Sequence, residues 1–256
     1  MPPTDITLDE ARSPVVETIS DCLGRGDPEA PSGNVGVRID AERVAISPSG
    51  ISYHEIGPGD VPIVDLDDEV LEGELPPSSE PPMPTTVYRH RVDVGGIVHV
   101  HSPYATTFAS LRRGIDPVHY LIAYAGKDVP VAPYARNGTA AIGRMAAETM
   151  GDRTVVLLRS NGGVATGPAL DDTPTVGSRV EYRTRIEWQA SLLGEPELID
   201  DELDAFIDYF REYREAPWAV GRIRPTRPAR LAPPRATAAP EPRCSPRRRR
   251  RTAPGR

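Results

Sequence analysis

Cysteine is scarce in this chain. Cys22 and Cys244 are the only two among 256 residues, and they lie in unlike surroundings. That excludes a disulfide framework and makes a reducing cytoplasm the expected compartment. Long apolar runs are missing too. None approaches the roughly 20 residues that a membrane helix needs, so no membrane partner is expected. The opening stretch MPPTDITLDE is polar and acidic, unlike a secretory signal. Lysine is nearly absent, Lys127 being the only one, and no internal repeat is visible.

Charge is present in quantity but divided. The net charge is −7 overall, yet residues 217–256 hold 12 arginines against the single acid Glu241. Residues 1–216 therefore carry 18 basic and 36 acidic groups, a net of −18. A domain this acidic repels nucleic acid. It also suits high salt, where carboxylates keep a surface hydrated; a merely acidic mesophilic protein is the equal alternative. The segment 217–256 is Pro- and Arg-rich, runs through Arg247–Arg251, and lacks the apolar surface needed to fold, so a disordered tail is expected. It reads either as a basic arm for nucleic acid or membrane surfaces, or as the Pro/Arg/Ala mixture that out-of-frame translation of a GC-rich gene produces.

Periodicity divides 1–216 into interleaved helices and strands. Helices are expected over 6–25, 85–92, 103–113, 137–150, 172–193 and 200–214. Strands are expected at 35–40, 43–47, 62–66, GGIVHVH (95–101), 129–132 and 154–158, with a turn-rich stretch at 73–84. The pattern predicts one α/β domain with a central mixed or antiparallel sheet.

All five histidines lie between 54 and 119, and two form His99-Val100-His101. Residues two apart on a strand share a face. Two imidazoles on one face can therefore reach one divalent ion, and imidazole suits zinc and its neighbours. The alternative is two ordinary strand histidines.

RVDVGGIVHVHSPYATTFA (91–109) resembles the metal-binding strand and following helix of the class II aldolase/adducin family. PSGNVGVR (31–38), ISPSGISY (46–53), PPSSE (76–80), VHYLIAYAG (118–126), VPVAPYARNGT (129–139) and LLRSNGGVATGPAL (157–170) resemble further segments of the family in the same order. The similarity runs from about 7 to 215 and points to the L-fuculose-phosphate aldolase branch. It implies a three-layer α/β/α domain, a mostly antiparallel sheet with helices on both faces. It also implies a homotetramer with active sites at subunit interfaces.

The resemblance assigns roles residue by residue. His99 and His101 match two zinc ligands, and Glu80 matches the acid/base carboxylate that can also touch the metal. Gly33, Asn34, Ser49, Gly50, Ser78 and Ser79 match a pocket for the substrate's phosphate. Tyr120 matches an active-site proton donor, and Tyr209 and Tyr213 are candidates for a tyrosine reaching a neighbouring subunit. The implied reaction is cleavage of a ketose 1-phosphate, such as L-fuculose 1-phosphate, to dihydroxyacetone phosphate and an aldehyde. The metal, Zn2+ or another divalent ion such as Mn2+ or Fe2+, acts as Lewis acid.

The pattern is broken in three places. Asn161 stands where the family has its third metal histidine, Pro84 where another histidine follows the glutamate, and Gly36 where serine is common. Three outcomes stay open: metal held by His99, His101, Glu80 and water; another metal-assisted reaction; or a degenerate copy. Glu80 favours an aldolase or a sugar-phosphate dehydratase over the 4-epimerases, which carry Asp there. A non-enzymatic, adducin-like binding module is the reading from another class.

Overall fold

The computed structural model describes residues 6–24, 33–80, 82–170, 173–199 and 201–215; the side chains of 23–24, 174–176 and 213–215 are not described. The Arg-rich segment 217–256 lies outside the described residues.

Eight strands form one sheet: β1 (Asn34–Arg38), β2 (Arg43–Ile46), β3 (Ile63–Asp65), β4 (Val70–Glu72), β5 (Gly96–Val100), β6 (Val131–Ala132), β7 (Val155–Leu158) and β8 (Gly162–Gly167). Their order is β4-β3-β2-β1-β5-β8-β7-β6. Among the described residues only the β6–β7 pair is parallel; the others are antiparallel. The helices are α1 (Leu8–Gly24), α2 (Pro82–His90), α3 (Pro103–Ser110), α4 (Ala140–Met150), α5 (Thr173–Leu193) and α6 (Leu203–Glu215).

Period-two alternation puts successive strand residues into different layers. Val44, Ile46, Ile97, Val156, Leu158 and Val164 pack with Met83 and Val87 of α2 and with Ile142, Ala146 and Met150 of α4. On the opposite face, Val35, Val37 and Val98 meet Ala11, Val15 and Ile19 of α1. There too, Val155, Leu157 and Ala165 meet Phe108 of α3, Val180 of α5 and Phe210 of α6. Both faces are buried, so β7 (VVLL) is apolar at every position rather than alternating. The expected three-layer α/β architecture, mostly antiparallel, is what the chain forms.

Several boundaries differ from the sequence reading. Helix α2 begins at Pro82, inside the stretch expected to be turns. Pro82 and Pro84 fall in the first helical turn, where a missing N–H costs nothing because that donor has no intrahelical acceptor. Strand β8, GGVATG, was expected only as part of a strand-turn segment, because glycine is a poor strand former. It is nonetheless fully buried and central, held between β5 and β7. Strand β4 was not expected at all; it is exposed along its length at the sheet edge.

This architecture positions the site. Ile97 faces the α2/α4 layer, so His99, two residues on, faces it as well. Glu80 lies just ahead of α2 and Asn137 just ahead of α4, and both helices cover that face. Three elements thus deliver polar side chains to the C-terminal end of β5.

Candidate active site

Glu80, His99 and His101 converge so that one ligand atom from each lies within 4.8 Å of the others. His99 Nε2 is 3.2 Å from Glu80 Oε2 and 3.1 Å from His101 Nε2. The two rings meet edge to face at 70°, with centroids 4.8 Å apart. His99 is 1% exposed, so the strand histidine is a core residue committed to this point.

The hydrogen bonding of His99 decides what its free nitrogen can do. Nδ1 lies 3.0 Å from the Gly163 carbonyl oxygen. A carbonyl only accepts, so Nδ1 carries the proton, and in the neutral ring Nε2 presents a lone pair. That lone pair faces a carboxylate oxygen and a second imidazole nitrogen. Such a convergence is unfavourable unless a proton or a cation stands between them. A backbone carbonyl fixing the tautomer of a ligating histidine is the usual outer support of a metal site. The residues present therefore fit a divalent cation, as three of its ligands. Where a proton rather than a cation stands at that point, the hydrogen bond between His99 and Glu80 holds the Glu80 carboxyl below the ordinary carboxylate range, against the opposing effect of burial; the His101 ring and the Asn137 amide add to the lowering.

Beside the cluster is a cleft of about 430 Å³, lined by Gly33, Ser49, Gly50, Tyr53, Ser78, Ser79, Glu80 and His101 among others. Two turns are clamped together to make its wall. Ser49 N–H donates to Pro76 C=O and Ser78 N–H donates to Ser47 C=O, each at 2.9 Å. Gly50 adopts φ 81°, a left-handed conformation that glycine takes without steric cost. Asn34 lies directly opposite His99 in the β1–β5 register, so both side chains project from the same face. It is 1% exposed, and neither atom of its amide has a hydrogen-bond partner in the described structure. An unpartnered buried amide costs about 1–3 kcal/mol, and such groups mark a position that a ligand completes. Among the described residues the lining contains neither lysine nor arginine, so an anion there meets N–H groups, hydroxyls and whatever charge the Glu80–His99–His101 centre holds.

Not every expected residue arrives. Tyr120 sits in a 3-10 turn, Tyr120–Tyr124, and is 43% exposed. Its ring packs against His119, Phe206 and Phe210, with centroids 4.8, 5.7 and 6.1 Å away, and it does not line the cleft. The aromatic residues of α6 hold it there, so within one chain Tyr120 and the His–Glu cluster are separate. Tyr209 is exposed on α6, and the side chain of Tyr213 lies outside those described. A larger groove, about 740 Å³, lies between α6 and the segment Ala123–Lys127, but among the described residues its lining holds no histidine or serine.

Two further residues join the site that the sequence did not single out. The Tyr53 hydroxyl donates to Gly33 C=O at 3.1 Å, and burial raises its phenol above the ordinary value, which keeps it a neutral donor. Asn137 donates through Nδ2 to Glu80 Oε1 and accepts through Oδ1 from Asn161 Nδ2 at 2.6 Å. An Asn-Gly pair ahead of a helix reads as a turn, so nothing in the sequence marks Asn137.

A three-layer α/β domain carrying a His-His-Glu cluster beside a hydroxyl- and glycine-lined cleft has the features of a class II aldolase domain. The chain matches the family described as Class II Aldolase and Adducin N-terminal domain over residues 15–188, and it belongs to that family. It is 39% identical over 208 residues to the 5-deoxy-D-ribulose 1-phosphate aldolase of Bacillus thuringiensis serovar kurstaki, spanning 80% of this chain and 98% of that relative. It is 34% identical over 184 residues to the 5-methylthioribulose-1-phosphate/5-deoxyribulose-1-phosphate aldolase of Rhodospirillum rubrum, spanning 71% and 82%. Among solved structures, an L-fuculose 1-phosphate aldolase superposes with a TM-score of 0.75 at 35% identity, covering 79% of this chain and 96% of the other. Among the described residues, no helix is long and apolar enough to cross a membrane.

Proposed function

We propose that the protein is a divalent-metal-dependent aldolase that cleaves a ketose 1-phosphate to dihydroxyacetone phosphate and an aldehyde. The observation carrying this reading is the convergence of Glu80, His99 and His101 at the lip of the cleft formed by Gly33, Ser49, Gly50, Ser78 and Ser79. The names of the two curated relatives point to 5-deoxyribulose 1-phosphate as a substrate to test beside L-fuculose 1-phosphate.

His99, His101 and Glu80 would hold the metal, Zn2+ or another divalent ion such as Mn2+ or Fe2+. When bound it supplies Lewis acidity toward the substrate's carbonyl and hydroxyl oxygens. The phosphate would lie against Asn34, Ser49, Gly50, Ser78 and Ser79, with Asn34 providing a buried amide donor and the turns providing N–H groups and hydroxyls. This fixes the ketose with its reacting carbons toward Glu80. In the cleavage direction the C4 hydroxyl loses its proton, the C3–C4 bond breaks, and C3 gains a proton. Glu80, ionised and held in place by His99 and Asn137, is the group placed to move a proton at the carbon that stays with the phosphate.

Tyr120 is proposed as a proton donor only across a subunit interface, since its own chain holds it away from the cleft. That requires a homotetramer with interface active sites. A cytoplasmic location belongs to the same proposal.

The test is a cleavage assay, coupled to dihydroxyacetone phosphate reduction, over a panel including 5-deoxyribulose 1-phosphate and L-fuculose 1-phosphate, with metal analysis of the purified protein. Metal-dependent release of dihydroxyacetone phosphate supports the proposal. A protein that takes up neither zinc nor manganese and cleaves none of the panel would be an adducin-like binding module instead. Asn161, in place of the third histidine, is the residue that favours this second reading.

A further inference from the structure

The chain of amides beyond Glu80 has a definite polarity. A carboxylate only accepts, so Asn137 must turn its Nδ2 toward Glu80 Oε1. That leaves Asn137 Oδ1 toward Asn161, which must then donate through its own Nδ2. The acceptor-only character of Glu80 thus passes through two side chains and determines which atom of Asn161 is left over. It is Oδ1, which is buried and has no hydrogen-bond partner in the described structure.

This leftover acceptor is connected to the same site. Asn161 is one hydrogen-bonded residue away from Glu80. The residue after it, Gly162, presses on the other ligand: a Cβ there would come within 2.9 Å of His101 Cδ2 and 2.3 Å of Val100 O. Asn161 is further held by a turn, its N–H donating to Leu158 C=O at 3.0 Å while Ser160 adopts φ 58°. A buried amide oxygen with no hydrogen-bond donor, linked through Asn137 to Glu80 and next in sequence to the glycine against His101, is suited to a cation.

We propose that Asn161 completes the cation site through Oδ1, and that Asn137 is the positioning residue that keeps that oxygen, rather than the amide nitrogen, available. The ligand set is then two imidazole nitrogens, one carboxylate oxygen and one amide oxygen. Replacing a nitrogen by an oxygen shifts preference from zinc toward harder ions such as Mn2+. This inference rests on the metal-centre reading above and specifies its composition.

The experiment uses the full chain stripped of metal and titrated with Mn2+. Free Mn2+ is read from its electron paramagnetic resonance signal, and Zn2+ affinity is obtained by competition. Asn161→Leu is expected to weaken Mn2+ binding about 10- to 100-fold, and Asn137→Leu to weaken it by about 10-fold without removing a ligand. Asn161→Asp, which keeps the oxygen and adds charge, is expected to bind Mn2+ at least as tightly as the parent. Asn161→His is expected to raise the ratio of Zn2+ to Mn2+ affinity. Thermal unfolding of each metal-free variant checks that it folds, and the near-isosteric Asp variant keeps the test alive if the Leu variant does not. If Asn161→Leu and Asn161→Asp both bind Mn2+ within about twofold of the parent while His99→Ala abolishes binding, the cation is present but Asn161 is not its ligand. If His99→Ala also leaves binding unchanged, the metal centre itself is wrong and this inference falls with it.

Discussion

Gly143 of α4 lies against the backbone of Met83 of α2: a Cβ on it would come within 2.6 Å of the Met83 carbonyl oxygen and 2.7 Å of Thr86 Cβ. The two helices therefore cross at backbone contact. This crossing sets the distance between the loops that precede them, and those loops carry Glu80 and Asn137.

Gly143→Val is accordingly expected to force α4 away from α2. Overpacking of this kind costs about 1–3 kcal/mol, so the urea midpoint should fall, and Gly143→Ala should fall less. The hydrogen bond between Asn137 and Glu80 should loosen with it. Activity in the variant should drop more than the folded fraction explains, measured as kcat at a temperature where both proteins are folded.

Asn34→Leu separates function from stability. The native amide is buried with both polar atoms unpartnered, so an apolar replacement of similar size removes a desolvation cost. The variant is expected to unfold at the same or a higher temperature than the parent, while KM for the phosphorylated ketose rises. A clear loss of thermal stability would mean that the amide already has a structural partner.

Glu80→Gln should lower kcat by about 10²- to 10⁴-fold, the usual worth of a positioned acid/base group. The same variant tests the carboxyl's protonation. In the folded, metal-free protein its pKa is held below the unfolded value of 4.5. Between those two values the unfolded state binds more protons, so the stabilisation is complete above about pH 5 and is lost as pH falls through the folded value. The stability difference between parent and Glu80→Gln, from denaturant titrations in chelator, should therefore shrink as pH is lowered from 6 toward 3. A difference that stayed constant would show that His99 and Glu80 do not interact.

The excess of 36 acidic over 18 basic groups in residues 1–216 predicts a response to salt. Screening shortens from about 10 Å at 0.1 M to about 3 Å at 1 M, which removes most of the repulsion between exposed carboxylates. Melting temperature should rise between low salt and molar KCl. No rise would mark the protein as an ordinary acidic one rather than one adapted to high salt.

The sequence alone carried the elements whose signal is local. Period-two and period-3.6 patterns located β1, β2, β5, β7 and the long helices, and His99-Val100-His101 marked a candidate metal-binding strand because residues two apart share a face. Ser49-Gly50 and Ser78-Ser79 were legible as turns for the same reason, since turn chemistry is written within four residues. Strand β8 was obscured because its glycines are poor strand formers in isolation. It becomes a central strand through pairing with β5 and β7, which is a property of neighbours.

The remainder needed three dimensions. Tyr120 is placed by the aromatic residues of α6, some 90 positions away in the chain, and no local pattern places it away from the cleft. The partnership of Glu80 with Asn137 and Asn161 depends on how closely α4 crosses α2 and on the β7–β8 turn. Sequence determined which side chains could bind a cation or an anion, because that is decided by the chemistry of each residue. The tertiary structure decided which of them meet, because hydrogen bonding and coordination act over about 3 Å and only packing brings distant parts of the chain that close.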